Sequence, residues 1–158
     1  MSDSARAELQ ARINRSIPLS EAMGYRIAEL DDRHILVAAP LAPNINIHGT
    51  GFAGSLYALG ILTAWGICAH LLDLAGIDAE LVVAKANIRY RVPIHGDIHC
   101  RCEISDEAAA AFLQDLTDKG RSRMVVEVAV GDRPAASIEA TMHASLVHER
   151  IDRPHSRM

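Results

Sequence analysis

The chain has 158 residues, of which 49% are hydrophobic and 23% charged, and its formal net charge at pH 7 is −4. This length suits one domain with a substantial core, and the apolar content is too high for a disordered chain. Lys and Arg are scattered along the sequence rather than clustered, which argues against nucleic acid as the main partner. We expect residues 1–148 to form a single domain and the charged residues 149–158 to form a disordered tail.

The first half of the chain begins with a helical pattern. Residues 4–16 carry apolar side chains on one stripe, which predicts an amphipathic helix. Residues 24–41 contain two short apolar runs separated at Asp31-Asp32, the pattern of a β-hairpin. Residues 52–75 then form a long apolar segment that predicts a second helix, with Gly76 as its stop.

The second half alternates apolar and polar residues with a period of two, which is typical of strands. A helix interrupts it at residues 106–119, for which Asp106 is the predicted N-cap and Gly120 the stop. Four strands are predicted, at residues 81–93, 97–105, 122–130 and 135–147, with a turn at 131–134 between the last two. The element order predicts an α+β fold in which about six mostly antiparallel strands wrap around the long helix.

Alternation also predicts which side chains of the strands share a face. In the first of these four strands the apolar face consists of Val82, Ala84, Ala86, Ile88, Tyr90 and Val92, opposite Val83, Lys85, Asn87, Arg89 and Arg91. In the next strand Cys100 and Cys102 lie on one face, and no second Cys or His pair has the spacing of a zinc site. We therefore interpret both as small buried residues and expect no metal and no cofactor.

The three cysteines also bear on the location of the protein. Their number is odd, and the first 16 residues are charged and lack the apolar centre of a signal peptide. Both features favour a reducing, cytoplasmic compartment.

The long helix raises the question of a membrane span. The uncharged run from Gly49 to Leu72 is just long enough to cross about 30 Å of hydrocarbon at about 1.5 Å per residue. Glycines and polar residues interrupt it, however, and no Lys or Arg flanks it to set a topology. Because the strands need an apolar partner, we interpret it as a core helix, with Gly60 and Ala64 allowing close approach of the sheet.

Polar and glycine residues crowd the start of this helix in the segment "NINIHGTGFAGS" (44–55). A helix N-terminus carries free N–H groups and partial positive charge, both suited to a developing oxyanion, and we assign those donors to Gly54 and Ser55. Asn46, His48 and Thr50 offer side-chain groups that can orient a water molecule. A purely structural interpretation is also open, with Asx-turns at the asparagines, Thr50 as N-cap and His48 as a loop histidine. No G-x-S-x-G motif, P-loop or dinucleotide motif occurs.

The segments "APNINIHGTGFAGSLYALGILTAWG" and "NIRYRVPIHGD" resemble the putative thioesterase family of hotdog-fold proteins, over residues 20–147. That family also occurs fused behind an N-acetyltransferase domain, and this chain resembles the stand-alone form. The resemblance implies a hotdog fold, a homodimer or a tetramer with active sites between subunits, and acyl-CoA or acyl-acyl-carrier-protein as substrate. It also implies a substrate-binding set consisting of Asn44, Phe52, Tyr57, Asn87, Arg89 and Arg91. Candidates for the phosphates of the nucleotide are Lys85, Arg89, Arg91, Arg121 and Arg123, although solvated strand faces explain them equally well.

One departure from related enzymes affects the mechanism. Hotdog thioesterases of the phenylacetate-pathway type carry His-Gly-Gly and, in the following helix, a catalytic acid. Alignment with that pattern places Phe52 at the histidine and Ile61 at the acid, and no carboxylate occurs between Gly49 and Leu72. Hydrolysis would then depend on water positioned by neutral groups, to which Thr63 contributes unless its hydroxyl bonds back to a helix carbonyl.

Three functions remain open from the sequence. The first is an acyl-thioester hydrolase, in which Tyr57 helps to shape an acyl pocket. The second is a hotdog enoyl hydratase or dehydratase, which needs a histidine with an acidic partner. The third is a non-catalytic protein that binds acyl-CoA or an acyl carrier, for which no carboxylate is needed.

Overall fold

The computed structural model describes residues 3–147 of the chain, so the predicted tail at 149–158 lies outside the described residues. The helices are α1 (Asp3–Ser16), α2 (Pro18–Ala22), α3 (Ala53–Leu74) and α4 (Asp106–Lys119), with a 3-10 turn at Ala42–Asn44. Neither α2 nor the 3-10 turn was predicted from the sequence, because both are shorter than two helical turns and leave little periodicity to detect.

Six strands form one antiparallel sheet. They are β1 (Arg26–Leu30), β2 (His34–Ala39), β3 (Ala79–Tyr90), β4 (Ile98–Glu103), β5 (Arg121–Val130) and β6 (Ala136–Leu146). Their spatial order is β1-β2-β4-β5-β6-β3, so β1 and β3 are the edge strands. The predicted strand number and antiparallel arrangement are therefore confirmed.

Helix α3 lies inside the sheet and forms the centre of the core. Leu59, Ala64 and Ile67 are completely buried, and a side chain at Gly60 would collide with Ile138 of β6. Although α3 alone among the described helices is long and apolar enough to cross a membrane, 72% of its most apolar window is buried inside the protein. This burial agrees with the interpretation of α3 as a core helix.

The predicted N-cap of α4 is wrong by one residue. Ser105, not Asp106, is the N-cap, and its hydroxyl accepts a hydrogen bond of 3.1 Å from the N–H of Ala108. Both residue types are good N-caps, so composition alone does not separate them; Asp106 instead adds negative charge to the first turn. The helix ends at Gly120, which adopts the left-handed conformation (φ +76°) that glycine favours.

The predicted faces of β3 are wrong in its first half. Pairing with β6 shifts register between Val83 and Lys85, which is a β-bulge at Ala84. The extra residue reverses the alternation, so Leu81 and Val83 point towards the core while Val82 is 53% exposed. Beyond the bulge Ile88 faces the core as predicted.

The predicted burial of the paired cysteines is confirmed. Cys100 and Cys102 are both buried on the inner face of β4, and Cys68 of α3 is buried as well. Burial raises the pKa of Cys100 to about 12 and that of Cys102 to about 12, so both thiols stay protonated at neutral pH. They act as core side chains.

Candidate functional site at the start of the central helix

The first turn of α3 exposes free backbone donors. Phe52 is the N-cap residue with extended geometry (φ −67°, ψ 130°), and its side chain makes no capping hydrogen bond. The first hydrogen bond of the helix runs from the N–H of Leu56 to the carbonyl of Phe52, at 3.0 Å. The N–H groups of Ala53, Gly54 and Ser55 therefore have no acceptor within the helix. The predicted N-cap role of Thr50 is wrong.

Asn46 organises the loop that precedes the helix. Its Oδ1 accepts hydrogen bonds from the N–H groups of His48 (2.9 Å) and Thr50 (3.0 Å). Its Nδ2 donates to the hydroxyl of Thr50 (2.8 Å) and to the carbonyl of Gly51 (3.3 Å). The Asx-turn interpretation is thus confirmed for Asn46, and the two amide protons and two acceptor positions of its side chain are all engaged.

The same loop presents His48 to solvent. The backbone N–H of His48 is held by Asn46, while its side chain is exposed. Thr50 is half-buried, and its hydroxyl already accepts the hydrogen bond from Asn46, which leaves the hydroxyl proton for another acceptor. His48 and Thr50 are therefore the polar side chains of this loop that remain able to contact a ligand.

Asn44 anchors the loop from inside. Only 1% of Asn44 is exposed, and its Nδ2 donates to the carbonyls of Met23 (2.8 Å) and Pro40 (2.9 Å). The backbone carbonyl of Asn44 accepts a 2.7 Å hydrogen bond from the backbone N–H of Phe52. The structure therefore places the side chain of Asn44 in a supporting position, away from the surface at which a ligand would arrive.

Aromatic residues border the free end of the helix. Phe52 is 51% exposed, and its ring lies so close to Gly54 that an added Cβ there would be 2.6 Å from Cε1. The hydroxyl of Tyr90 donates to the carbonyl of Ala53 at 2.8 Å and thereby ties the edge strand β3 to the first turn. Partial burial, and then nearby Tyr57, raise the pKa of Tyr90 above its ordinary value, which keeps this phenol a donor.

Sequence reasoning missed the role of Tyr90. The alternation pattern placed it on an apolar strand face, and nothing in that pattern indicates which helix carbonyl a phenol reaches. The only signal in the sequence for a special role of Tyr90 is its position near the end of a predicted strand that stops at Pro93.

The remaining predicted binding residues lie elsewhere. Asn87, Arg89 and Arg91 line an open groove of about 830 Å³ on the outer face of the sheet. Arg91 donates to the hydroxyl of Ser137 there, at 3.2 Å. These three residues are at the same end of the sheet as the start of α3, but their groove opens on the opposite face of the sheet.

The interior of α3 offers no further reactive group at this site. The hydroxyl of Thr63 donates to the carbonyl of Leu59 at 2.7 Å, so the structural interpretation of Thr63 is confirmed. Within residues 3–147 no group of three or more His, Cys, Asp and Glu side chains is arranged to hold a metal ion.

Comparison with known proteins connects this arrangement to a family. Residues 6–142 match the family described as "Putative thioesterase (yiiD_Cterm)". The fold is similar to that of a putative thioesterase from Shewanella oneidensis, with 30% sequence identity and a TM-score of 0.83, over 92% of this chain and 100% of that one. It is also similar to a protein with unknown function from Chlorobaculum tepidum TLS, with 27% identity and a TM-score of 0.88, over 92% of this chain and 96% of that one. The chain therefore belongs to this thioesterase family and has the hotdog fold that its sequence predicted.

Proposed function

We propose that the protein hydrolyses acyl thioesters carried by coenzyme A or by an acyl carrier protein. The observation that carries this proposal is the uncapped first turn of α3, whose N–H groups at Gly54 and Ser55 lie beside the loop that holds His48. Membership of a thioesterase family supports the reaction class.

Stabilisation of the transition state comes from this first turn. As water attacks the thioester carbonyl, negative charge develops on its oxygen. The N–H groups of Gly54 and Ser55 then donate to that oxygen, and the partial positive charge of the helix N-terminus adds to the effect. Collapse of the tetrahedral intermediate breaks the C–S bond and leaves the free acid, and the departing thiolate takes back the proton that the general base removed from the water.

Side chains of the loop that precedes α3 activate the water. We assign the role of general base to the imidazole of His48, since this exposed side chain makes no hydrogen bond to another described residue. The hydroxyl of Thr50 orients the water. Asn46, whose amide is already engaged in the loop, is a positioning residue and does not contact the water itself.

Substrate contacts divide between the two faces of the sheet. Phe52 and Tyr57 border the first turn of the helix, where the acyl group and the end of the pantetheine arm would lie. The groove that contains Asn87 offers the guanidinium groups of Arg89 and Arg91 to the phosphates of the carrier, and its lining also contains Arg101 and the carboxylates of Glu103, Glu127 and Glu139.

We further propose a homodimer formed through β3. This strand has 12 residues, pairs only with β6 among the described strands, and exposes Val82 and Tyr90. An edge of this length is a template for pairing with a second copy. Sedimentation equilibrium tests this arrangement, since a monomer at micromolar concentration would contradict it. The cytoplasmic location predicted from the cysteines stays a prediction.

Release of free thiol from acyl-CoA tests the function directly. A panel from acetyl-CoA to long-chain acyl-CoA, followed with a thiol reagent, should give turnover with at least one member. His48→Ala should abolish that turnover and keep affinity for a non-hydrolysable acyl-CoA analogue. Absence of thiol release across the panel and with acyl carrier protein substrates would contradict the hydrolase.

A non-catalytic acyl-carrier binder is the second candidate. The lack of any carboxylate between Gly49 and Leu72 favours it, because a common source of base catalysis in related enzymes is missing. This candidate predicts saturable binding of acyl-CoA with no thiol release by the wild type. The same missing acid counts against an enoyl hydratase, which a loss of enoyl absorbance would test.

A further inference from the structure

Two side-chain hydrogen bonds tie α3 to the edge strand β3. At the start of the helix, the hydroxyl of Tyr90 donates to the carbonyl of Ala53 at 2.8 Å. About three turns later, the indole N–H of Trp65 donates to the carbonyl of Leu81 at 3.0 Å. Because the strand contact moves backwards along β3 as the helix advances, α3 and β3 run side by side in opposite directions.

The side chains of α3 on the face of Trp65 increase in size along the helix. Gly54, Ala58, Ile61 and Trp65 follow the helical repeat, so they lie on one face. Gly54 is exposed, while Ala58, Ile61 and Trp65 are half-buried and pack against the core. This face is therefore wide at the start of the helix and filled by the indole ring three steps later.

The opposing face of β3 is apolar and also incompletely covered. The inward-facing residues of the neighbouring strand β6 are fully buried, whereas those of β3 are only half-buried. The half-buried set consists of Leu81, Val83, Ala86 and Ile88. Together with the open face of α3 these side chains border an apolar groove, which we call the α3–β3 groove.

Trp65 closes the far end of this groove. The guanidinium group of Arg12 lies 5.9 Å from the centroid of the indole ring and is itself bonded to both carboxylate oxygens of Asp73, at 3.0 and 3.3 Å. With its N–H bonded to Leu81, the ring is held on two sides. Beyond it lies a cavity of about 230 Å³, whose apolar lining includes Ala69 and Leu72 on the continuation of the same helix face. The indole therefore separates the groove from this cavity.

We propose that the α3–β3 groove holds the acyl chain of the substrate and that Trp65 sets the longest chain accepted. This inference rests on the proposed thioester site, since the groove begins at Gly54, one of the two assigned oxyanion donors. Trp65 follows Gly54 by about 16 Å along the axis, and its side chain leans back towards the helix N-terminus. An extended hydrocarbon advances about 1.25 Å per carbon, so the groove suits a medium chain of about 10–12 carbons.

A second copy of the chain is the alternative occupant of the groove. Pairing through β3 would use the backbone groups of the strand edge, whereas the groove consists of side chains that face α3. The groove tapers to a closed end and is continuous with the free N–H groups of the first turn. Both features fit a single hydrocarbon chain attached to a carbonyl better than they fit a protein surface.

The test uses the fluorescence of Trp65, which is the only tryptophan of the chain. The ligands are 2-oxoalkyl thioethers of coenzyme A with butyl, octyl, dodecyl and hexadecyl tails, which contain no hydrolysable thioester. We expect the emission maximum of Trp65 to stay unchanged with the butyl tail and to shift with the dodecyl tail. Affinity measured by calorimetry should rise from butyl to dodecyl, because more apolar surface is buried, and should not rise further with hexadecyl.

Two variants should change the accepted length in opposite directions. Trp65→Ala joins the groove to the cavity behind it, so its affinity for the hexadecyl analogue relative to the dodecyl analogue should rise about tenfold or more. Ala58→Phe narrows the groove near its start and should weaken dodecyl binding about tenfold or more, while butyl binding stays within about threefold. The matched control Phe112→Ala removes a buried aromatic ring from α4 and should leave the length preference unchanged.

Failure of this proposal is distinguishable from failure of the proposed hydrolysis. Absence of thiol release contradicts the hydrolase, but these binding measurements need no turnover. The groove assignment is overturned if Trp65 emission is the same with all four tails, or if wild-type affinity keeps rising from dodecyl to hexadecyl. Emission that changes on dilution of the free protein and not with any ligand assigns the groove to a second copy and also overturns it. A Trp65→Ala length profile identical to that of the wild type removes Trp65 as the end of the groove and refutes the proposed length limit.

Discussion

Replacement of Ser55 by proline removes one backbone N–H from the first turn of α3 and breaks no hydrogen bond of the helix. The helical hydrogen bonds begin with Leu56, so the N–H of Ser55 is free of an acceptor inside the helix. Proline is tolerated in a first turn, and its ring clashes least with a preceding residue that has no Cβ, here Gly54. The substitution therefore tests a single donor.

The magnitude follows from the role assigned to that donor. Removal of one oxyanion donor lowers kcat by about 10²–10³-fold, equivalent to about 2.7–4 kcal/mol of transition-state stabilisation. Folding should change by less than about 1 kcal/mol, because the lost N–H has no partner inside the helix. We expect Ser55→Pro to lose most of kcat while KM and the thermal midpoint stay close to those of the wild type.

Two controls isolate the N–H group. Ser55→Ala removes the hydroxyl and keeps the N–H, so it should retain kcat within about threefold of the wild type if the backbone group is the donor. Ala53→Pro introduces proline at the first helical position, where proline is favoured, without removing either assigned donor. The assay is steady-state thiol release from the best acyl-CoA of the panel. Full activity of Ser55→Pro, or equal loss in Ser55→Ala, would refute the assignment.

Three further substitutions test other parts of the structure. Asn46→Ala should lower kcat/KM by about 10²-fold, because the loop would be misplaced. Asn46→Asp keeps both Oδ1 contacts and should lose less activity. Equal activity of the two variants in the thiol-release assay would contradict this role of Asn46. Gly60→Ala should lower the free energy of unfolding by about 1–3 kcal/mol, measured with denaturant, because the added Cβ would collide with Ile138. Gly96→Ala is the control, since open space surrounds Gly96. Equal unfolding midpoints for the two variants would contradict the close packing at Gly60. Burial lowers the pKa of His70 from 6.5, with Asp73 partly opposing this, so the unfolded chain binds more protons and the free energy of unfolding falls as the pH drops below 6.5. His70→Gln should therefore lose less thermal stability than the wild type between about pH 7.5 and about pH 5.5, and an identical loss would exclude His70 as the source.

The fold was predictable because its strongest signals are long and local. Helix α3 carries no charged side chain before Asp73. Strand β5 alternates in burial over all 10 of its residues, and β6 alternates up to Ser145. The strand β3 was predicted only in part, since a single-residue bulge at Ala84 leaves no trace in composition and reverses the alternation before it. Periodicity identifies a strand but does not reveal where its register shifts.

The candidate site was predicted by position rather than by contacts. A cluster of glycine, asparagine and histidine before an apolar helix indicated where free donors lie. It did not indicate that Asn44 points inward to Met23 and Pro40, or that Tyr90 reaches Ala53 from the edge strand. Asn44 and Met23 are 21 positions apart in the sequence, and Tyr90 and Ala53 are 37 apart. Tertiary packing, rather than local sequence, brings such residues into contact.

The packing of Ile61 bears on the proposed mechanism, which places the chemistry in the loop and the first turn of α3. The resemblance to related thioesterases aligns Ile61 with their catalytic acid, and in this structure Ile61 is a partly buried side chain packed against the hydrophobic core. A carboxylate at such a position would lose much of its hydration, which raises its pKa and costs stability unless a partner compensates. The apolar residue at 61 is therefore compatible with the core, and the mechanism we propose assigns hydrolysis to His48 and to the free N–H groups of Gly54 and Ser55. The proposed mechanism depends on backbone donors that no side-chain substitution removes, so the proline substitution at Ser55 is its most direct test.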